Sequence, residues 1–168
     1  MPDLGHDEAL MLALLNTAPV IDGVRRDELA DTEGAQAWLA AQGWPAAGNP
    51  ARTLREARDA LKSVILGAAS PASLDPFLTD VRVAPAMTDE GLKWTLDETS
   101  DKSVAVHAIL AWNTLNTTSP GRLRPCSNPD CELFLIDRSK ANNARWCSMA
   151  VCGNRMKARR HYQRSRQA

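Results

Sequence analysis

Apolar positions recur at helical spacing along most of the first 120 residues. Leu10, Met11, Leu14 and Leu15 predict a first helix that stops before Pro19. Asp31 or Thr32 caps a second, shorter one that carries Ala35, Trp38 and Leu39 and ends at Gly43. After Asn49 and Pro50, a cap and first-turn pair, Leu54, Ala57, Leu61, Val64, Ile65 and Ala68 line one stripe of a longer helix closed by Pro71. A brief segment around Leu74, Phe77 and Leu78 follows. The period then falls to two. Val81 and Val83 flank Arg82, and Leu92, Trp94 and Leu96 alternate with Lys93 and Thr95, the pattern of half-buried strands in a β-hairpin. Ser100 opens a last helix through Val104, Ala105, Ile109, Leu110, Trp112 and Leu115, apolar on most of its surface and therefore central to the core. The Thr, Ser and Pro-rich stretch 116–120 reads as a boundary, giving a helix-rich domain over 1–119 and a second unit over 120–168.

That second unit has another character. All four cysteines lie in it, with Cys126 and Cys131 around a turn containing Asn128, Pro129 and Asp130, and Cys147 and Cys152 further on. Two close pairs suit four thiolates converging on one tetrahedral Zn²⁺. The short apolar run 133–136 and a helix from 149 to 164, capped by Ser148, give the order knuckle, hairpin, helix. The fold class is therefore α+β: a helix-rich domain with a β-hairpin, then a small treble-clef-like zinc finger. In the last helix, Met149, Cys152 and Met156 share a side expected to face the hairpin and the metal. The unit has too few large apolar groups for a sufficient core, so structural zinc is the expected staple. Four thiolates leave no open position for a catalytic water.

Charge divides the chain at the same place. The 20 Lys plus Arg and 20 Asp plus Glu cancel overall, yet residues 1–121 carry 9 basic and 17 acidic side chains (net −8), and residues 122–168 carry 11 and 3 (net +8). Arg155, Arg159 and Arg166 form one basic stripe on the last helix, and Lys157, Arg160 and Arg164 another. A cationic helix held by a metal centre has the charge and size to enter a nucleic-acid groove. Arg138, Lys140 and Arg145 are further candidates for phosphate contacts. The opposite charges also allow the acidic domain to lie against the basic stripe and mask it until an effector or DNA competes, although the sequence does not decide whether it does.

At this point the residues resemble a known family. CSMAVCGNRMKARR over 147–160, with CSNPDCELFLIDRSK over 126–140, is similar to the bacterial CGNR zinc fingers, the naming motif falling on Cys152, Gly153, Asn154 and Arg155. Upstream, Leu14, Leu15, Asn16 and Thr17 resemble the start of the ABATE domain that precedes the finger in that family. The resemblance implies zinc on Cys126, Cys131, Cys147 and Cys152, a stress-related transcriptional role and DNA binding. One departure is Ala144 before Arg145, where the family often has two arginines. Arg155 stands between two roles, hydrogen-bonding a sulfur or the hairpin, or contacting DNA.

In the acidic domain, Trp38, Trp44, Trp94 and Trp112 are either core packing or the wall of an effector pocket, to which Arg82 or His107 adds polarity. Asn16 and Thr17 read as caps of the first helix, and Asp22, Asp27, Glu28, Asp31 and Glu33 as a solvated charge run. The sequence has no Gly-rich phosphate loop, nucleophile elbow or carboxylate pair, and no enzyme is predicted. No 18-residue apolar run is present and the N-terminal region lacks a basic segment, so a cytoplasmic protein with no membrane partner is expected. The leading reading is a DNA-binding regulator whose N-terminal domain senses a small-molecule effector or forms a homodimer. Protein–protein docking and RNA binding are the alternatives.

Overall fold

The computed structural model describes residues 7–45, 50–96 and 102–166. Helix α1 (Glu8–Leu15) is capped by the Asp7 carboxylate, which accepts from the Leu10 N–H at 2.7 Å. A small hairpin that the apolar pattern does not announce, β1 (Val20–Ile21) with β2 (Val24–Arg25), leads to α2 (Thr32–Ala41). Asp31 is the cap of α2, accepting from the Gly34 N–H at 2.8 Å. Helix α3 (Pro50–Ile65) ends a turn earlier than Ala68 and Pro71 imply, because Gly67 takes φ 72°. Pro71 instead opens a 3-10 turn (Pro71–Leu74) that runs into α4 (Asp75–Leu78). The Asn49 cap and the Ser100 start lie outside the described residues.

Strands β3 (Val83–Thr88) and β4 (Gly91–Leu96) pair antiparallel across a two-residue turn, Asp89 and Glu90, with Gly91 at φ 115° completing the reversal. Val81 precedes the strand. The expected half-burial is not found: Met87 is 80% and Leu92 60% exposed, so the alternation is present but the described residues leave its apolar face largely uncovered. Helix α5 (Ser103–Thr118) is the centre of the fold, burying Val104, Ala105, Val106, Ala108, Ile109, Ala111, Trp112 and Leu115 against α1 and α3. It continues to Thr118, so helix occupies most of the predicted boundary stretch.

Within four residues of α5 the chain enters β5 (Leu123–Pro125), which pairs antiparallel with β6 (Phe134–Ile136). The first cysteine pair therefore forms the connection of the β5–β6 hairpin rather than preceding a hairpin. A π-type turn (Met149–Gly153) then leads into α6 (Asn154–Ser165). No described helix is long and apolar enough to cross a membrane.

Phe134 is 4% exposed and belongs to the same apolar cluster as Leu10, Leu61 and Trp112, with Leu123 and Ile136 packed against it. The hairpin of the cysteine-bearing unit thus docks on the helical domain. Asn16 locks the contact: its side-chain amide donates to the Phe134 carbonyl at 3.1 Å, and its carbonyl oxygen accepts from the Phe134 N–H at 2.8 Å. It caps the free edge of β6 as a neighbouring strand would. Glu8 pairs with Arg138, Arg25 with Glu132 at 3.4 Å, and the Lys62 ammonium sits 5.6 Å from the Phe134 ring centre. The acidic domain therefore holds the hairpin side of the basic unit and leaves α6 exposed, so the masking that the charge split allows is not found.

One buried ion pair organises the helical domain. Arg58 lies on the apolar stripe of α3, 1% exposed, and forks onto Asp27 with contacts of 2.6 and 2.9 Å while donating to the Thr17 hydroxyl at 3.1 Å. Burial pushes the Asp27 carboxyl up, but the hydrogen bonds from Arg58 and the Leu29 N–H, with the fields of Arg58 and Arg25, outweigh it and hold the group below its ordinary 3.8.

Candidate metal centre and basic helix

The four sulfurs of Cys126, Cys131, Cys147 and Cys152 lie within 4.8 Å of one another. Cys131 to Cys147 is 3.7 Å and Cys147 to Cys152 is 3.6 Å. A tetrahedron with metal–sulfur bonds of about 2.3 Å has edges of about 3.8 Å, so the spacing fits a tetrathiolate ion site. Cys126 and Cys152 are buried, and the other two are half-buried.

Backbone contacts position each ligand. The Cys126 N–H donates to the Leu133 carbonyl at 2.8 Å and the Cys131 N–H to that of Asn128 at 3.0 Å, which closes the knuckle. Ser127 donates to the Arg145 carbonyl at 2.8 Å, and the Cys147 N–H points at the Cys126 sulfur at 3.4 Å, tying the second cysteine pair to the first. Ser148 caps the π-type turn by accepting from Val151 at 3.3 Å, so Cys152 sits where helix N–H groups favour negative charge.

Without an ion the sulfurs do not ionise alike. Burial pushes Cys131 up to about 11 against hydrogen bonds at Leu133 and Cys147 that lower it, and burial together with its sulfur neighbours pushes Cys147 higher still. Burial also opposes ionisation of Cys152, but the Asn128 amide, 3.4 Å from its sulfur, and the other thiols outweigh that and lower it. Four thiolates this close repel one another; a divalent ion at their centre removes the conflict.

Two residues that sequence reasoning did not assign hold this frame. Asn128 is 1% exposed; besides donating to Cys152, its oxygen accepts from the Asp130 N–H at 3.2 Å, fixing the knuckle turn. Its place between the first two ligands, ahead of Pro129, is the signal for such a turn. Asp137 is 2% exposed and accepts from the Ser139 N–H at 2.8 Å, the Ala144 N–H at 2.7 Å and Arg124 at 3.4 Å, which holds the loop 137–144. The hydrogen bonding at Ser139 is foremost in keeping this carboxyl below its ordinary value.

The residues of the C-G-N-R motif have separate tasks. Cys152 is the ligand. A Cβ on Gly153 would stand 2.9 Å from the flexible end of the Met149 side chain and 3.3 Å from the Trp146 ring, a tight approach that a small shift of Met149 relieves. Asn154 donates to the Ala150 carbonyl at 3.2 Å. Arg155 is exposed and, among the described residues, bonds neither a sulfur nor the hairpin. Met149 is 55% exposed and does not face the metal site as its spacing implied; the π-type turn changes its direction.

No residue of α6 is buried. Arg155, Lys157, Arg159, Arg160 and Arg164 are all exposed, and the carboxylate paired with them among the described residues is Asp130, 3.5 Å from Arg159. The Arg160 and Arg164 side chains donate back to the carbonyls of Met156 and Arg160, at 3.4 Å each. Of the other candidates, Lys140 is exposed, Arg138 is engaged by Glu8, and the Arg145 guanidinium lies 5.2 Å from the Trp146 ring centre.

The five residues considered for an effector pocket are dispersed. Trp112 lines a cleft with Val64, Ile65, Asn116 and Leu123, whereas Trp38 lines a separate open one with Ala13, Asn16 and Gln42. His107 packs against Trp44, ring centres 4.9 Å apart. Arg82 is exposed, and Trp94 is on the β3–β4 hairpin, 38% exposed.

A comparison with curated proteins gives no match. Family models match nearly the whole described chain: residues 122–165 fit the CGNR zinc finger, and residues 8–118 fit ABATE, described as a putative stress-induced transcription regulator. With the four-cysteine site in place and both models matched in order, the chain belongs to the ABATE family of proteins that carry a C-terminal CGNR zinc finger.

Proposed function

We propose that the chain is a transcriptional regulator that binds DNA through α6, with zinc on the four cysteines as the structural ion. The observation that carries this reading is the state of α6: five cationic side chains on one short helix, all exposed and with one carboxylate among their described partners. Twelve residues of helix span about 18 Å, a length that the major groove accommodates. Zinc supplies rigidity in this arrangement. With four sulfurs around it, coordination is closed, and the chain binds a partner without turning over a substrate. Arg155, Lys157, Arg160 and Arg164 neutralise phosphates, with Arg159, Lys140 and Arg145 adding to the field. The helical domain orients the finger through Asn16 and Phe134, and it is the part that senses an effector or forms a dimer.

The test is binding of the zinc-loaded full chain to duplex DNA, single-stranded DNA and RNA across a salt series. Duplex binding is expected, with log affinity falling against log salt by about 0.9 per phosphate neutralised. Arg159→Ala with Arg160→Ala reduces both affinity and slope while zinc content stays unchanged. Binding to RNA alone would replace DNA as the partner, and no salt-dependent binding to any of the three would leave α6 as a protein-docking surface.

A further inference from the structure

The β3–β4 hairpin carries an apolar face that the described residues leave largely exposed. Residues directly opposite each other on an antiparallel pair point to one side. Val83 faces Leu96, Pro85 faces Trp94 and Met87 faces Leu92, so one side of the hairpin bears six apolar residues and no charge. The other side carries Ala84, Ala86, Thr88, Gly91, Lys93 and Thr95. Met87 is 80% exposed, Leu92 60%, and Val83 and Trp94 38% each. Three, Leu92, Trp94 and Leu96, are the apolar residues whose alternation in the sequence predicts a buried face. A lone two-stranded hairpin is marginal in water and requires a packing partner for its apolar side.

We infer that this face is a homodimer contact, packed against the same face of a second copy. Three observations select that occupant. The face holds no charge, so a two-fold arrangement, in which each group near the axis meets its own copy, sets no like charges together. Stacking the six side chains of two copies removes on the order of 1,000 Å² from water, the lower bound of a specific interface. Pro85 has no N–H and weakens the free edge of β3 as a site for strand addition, which leaves the flat face as the adhesive surface. Trp94 and Met87, a large aromatic and a flexible thioether, are side chains enriched at such contacts. The inference does not depend on what α6 binds.

Sedimentation equilibrium of the zinc-loaded full chain, without nucleic acid, tests it from micromolar to hundreds of micromolar. The expected mass rises towards twice the 18.3 kDa of one chain. Met87→Glu with Leu92→Glu raises the dissociation constant by about a hundredfold, with an unchanged far-ultraviolet circular dichroism spectrum because both positions are exposed. Hydrogen exchange at β3 and β4 in the unmodified chain slows as concentration rises. A mass of one chain throughout the range, or a dimer untouched by the double substitution, overturns the inference. Retention of the monomer by apolar resin or lipid vesicles would assign the face to another class of partner and equally overturn it.

Discussion

Replacing Asn16 with alanine removes both hydrogen bonds that fasten β6 to the end of α1. In the native chain the Phe134 N–H and carbonyl are satisfied at 2.8 and 3.1 Å by one side-chain amide, at a residue only 4% exposed. Leaving a buried polar group unmade costs about 1–3 kcal/mol, so losing both contacts costs about 3 kcal/mol in total once some water enters the gap. That is about two orders of magnitude in the folding equilibrium. Urea denaturation followed by tryptophan fluorescence should show an earlier midpoint with an unchanged slope, and hydrogen exchange at the Phe134 amide should accelerate by a comparable factor. Zinc content should not change, since no ligand is touched. Asn16→Asp should be at least as damaging, because it turns an acceptor towards the Phe134 carbonyl. A stability within about 0.5 kcal/mol of the unmodified chain, with the Phe134 amide exchanging as before, would refute the idea that this amide couples the two units.

Further outcomes follow from the ion pair and the loop. Asp27→Ala removes the forked contacts of the buried Arg58 guanidinium but leaves it Asp59 at 2.9 Å and the Thr17 hydroxyl, and should cost about 2 kcal/mol, read as a lower denaturant midpoint. The folded Asp27 carboxyl lies below 3.8, so its contribution is present above that pH and is lost as pH falls through the folded value. Asp27→Asn should therefore flatten the acid side of the stability profile relative to the unmodified chain. Asp137→Asn weakens the turn that holds loop 137–144, and faster exchange at the Ser139 and Ala144 amides should report it. Asn128→Ala should speed zinc transfer to a chromophoric chelator by about tenfold or more, the usual effect of losing a group that orients a ligand.

The helices were legible in the sequence wherever one face was apolar. Leu54, Leu61 and Val64 mark α3, and the near-continuous apolar surface of α5 marks the centre of the core. Arg58 falls on the stripe defined by Leu54 and Leu61, so its position already implied burial and a partner; the partner was hidden because Asp27 lies 31 residues away in a run of acidic residues that looks solvated. Ligand spacing made the four cysteines readable, since convergence on one ion requires only short turns. The docking of the units was not readable from charge. Net charges of −8 and +8 allow α6 to be covered, yet the contact falls on the β5–β6 hairpin, where a buried phenylalanine and the Asn16 amide are joined by the local pairs Glu8 with Arg138 and Arg25 with Glu132, short-range features that net charge does not register. The β3–β4 alternation identified a hairpin, but period two alone does not say whether its apolar side is buried within the chain.

In the proposed function, one zinc ion held by Cys126, Cys131, Cys147 and Cys152 fixes the C-terminal unit and, through it, the exposed cationic helix. Metal analysis of freshly purified protein, followed by chelation under circular dichroism, is the decisive measurement. One zinc per chain and loss of α6 helicity on its removal are expected. Absence of a stoichiometric transition metal, with α6 fully folded, would contradict that reading.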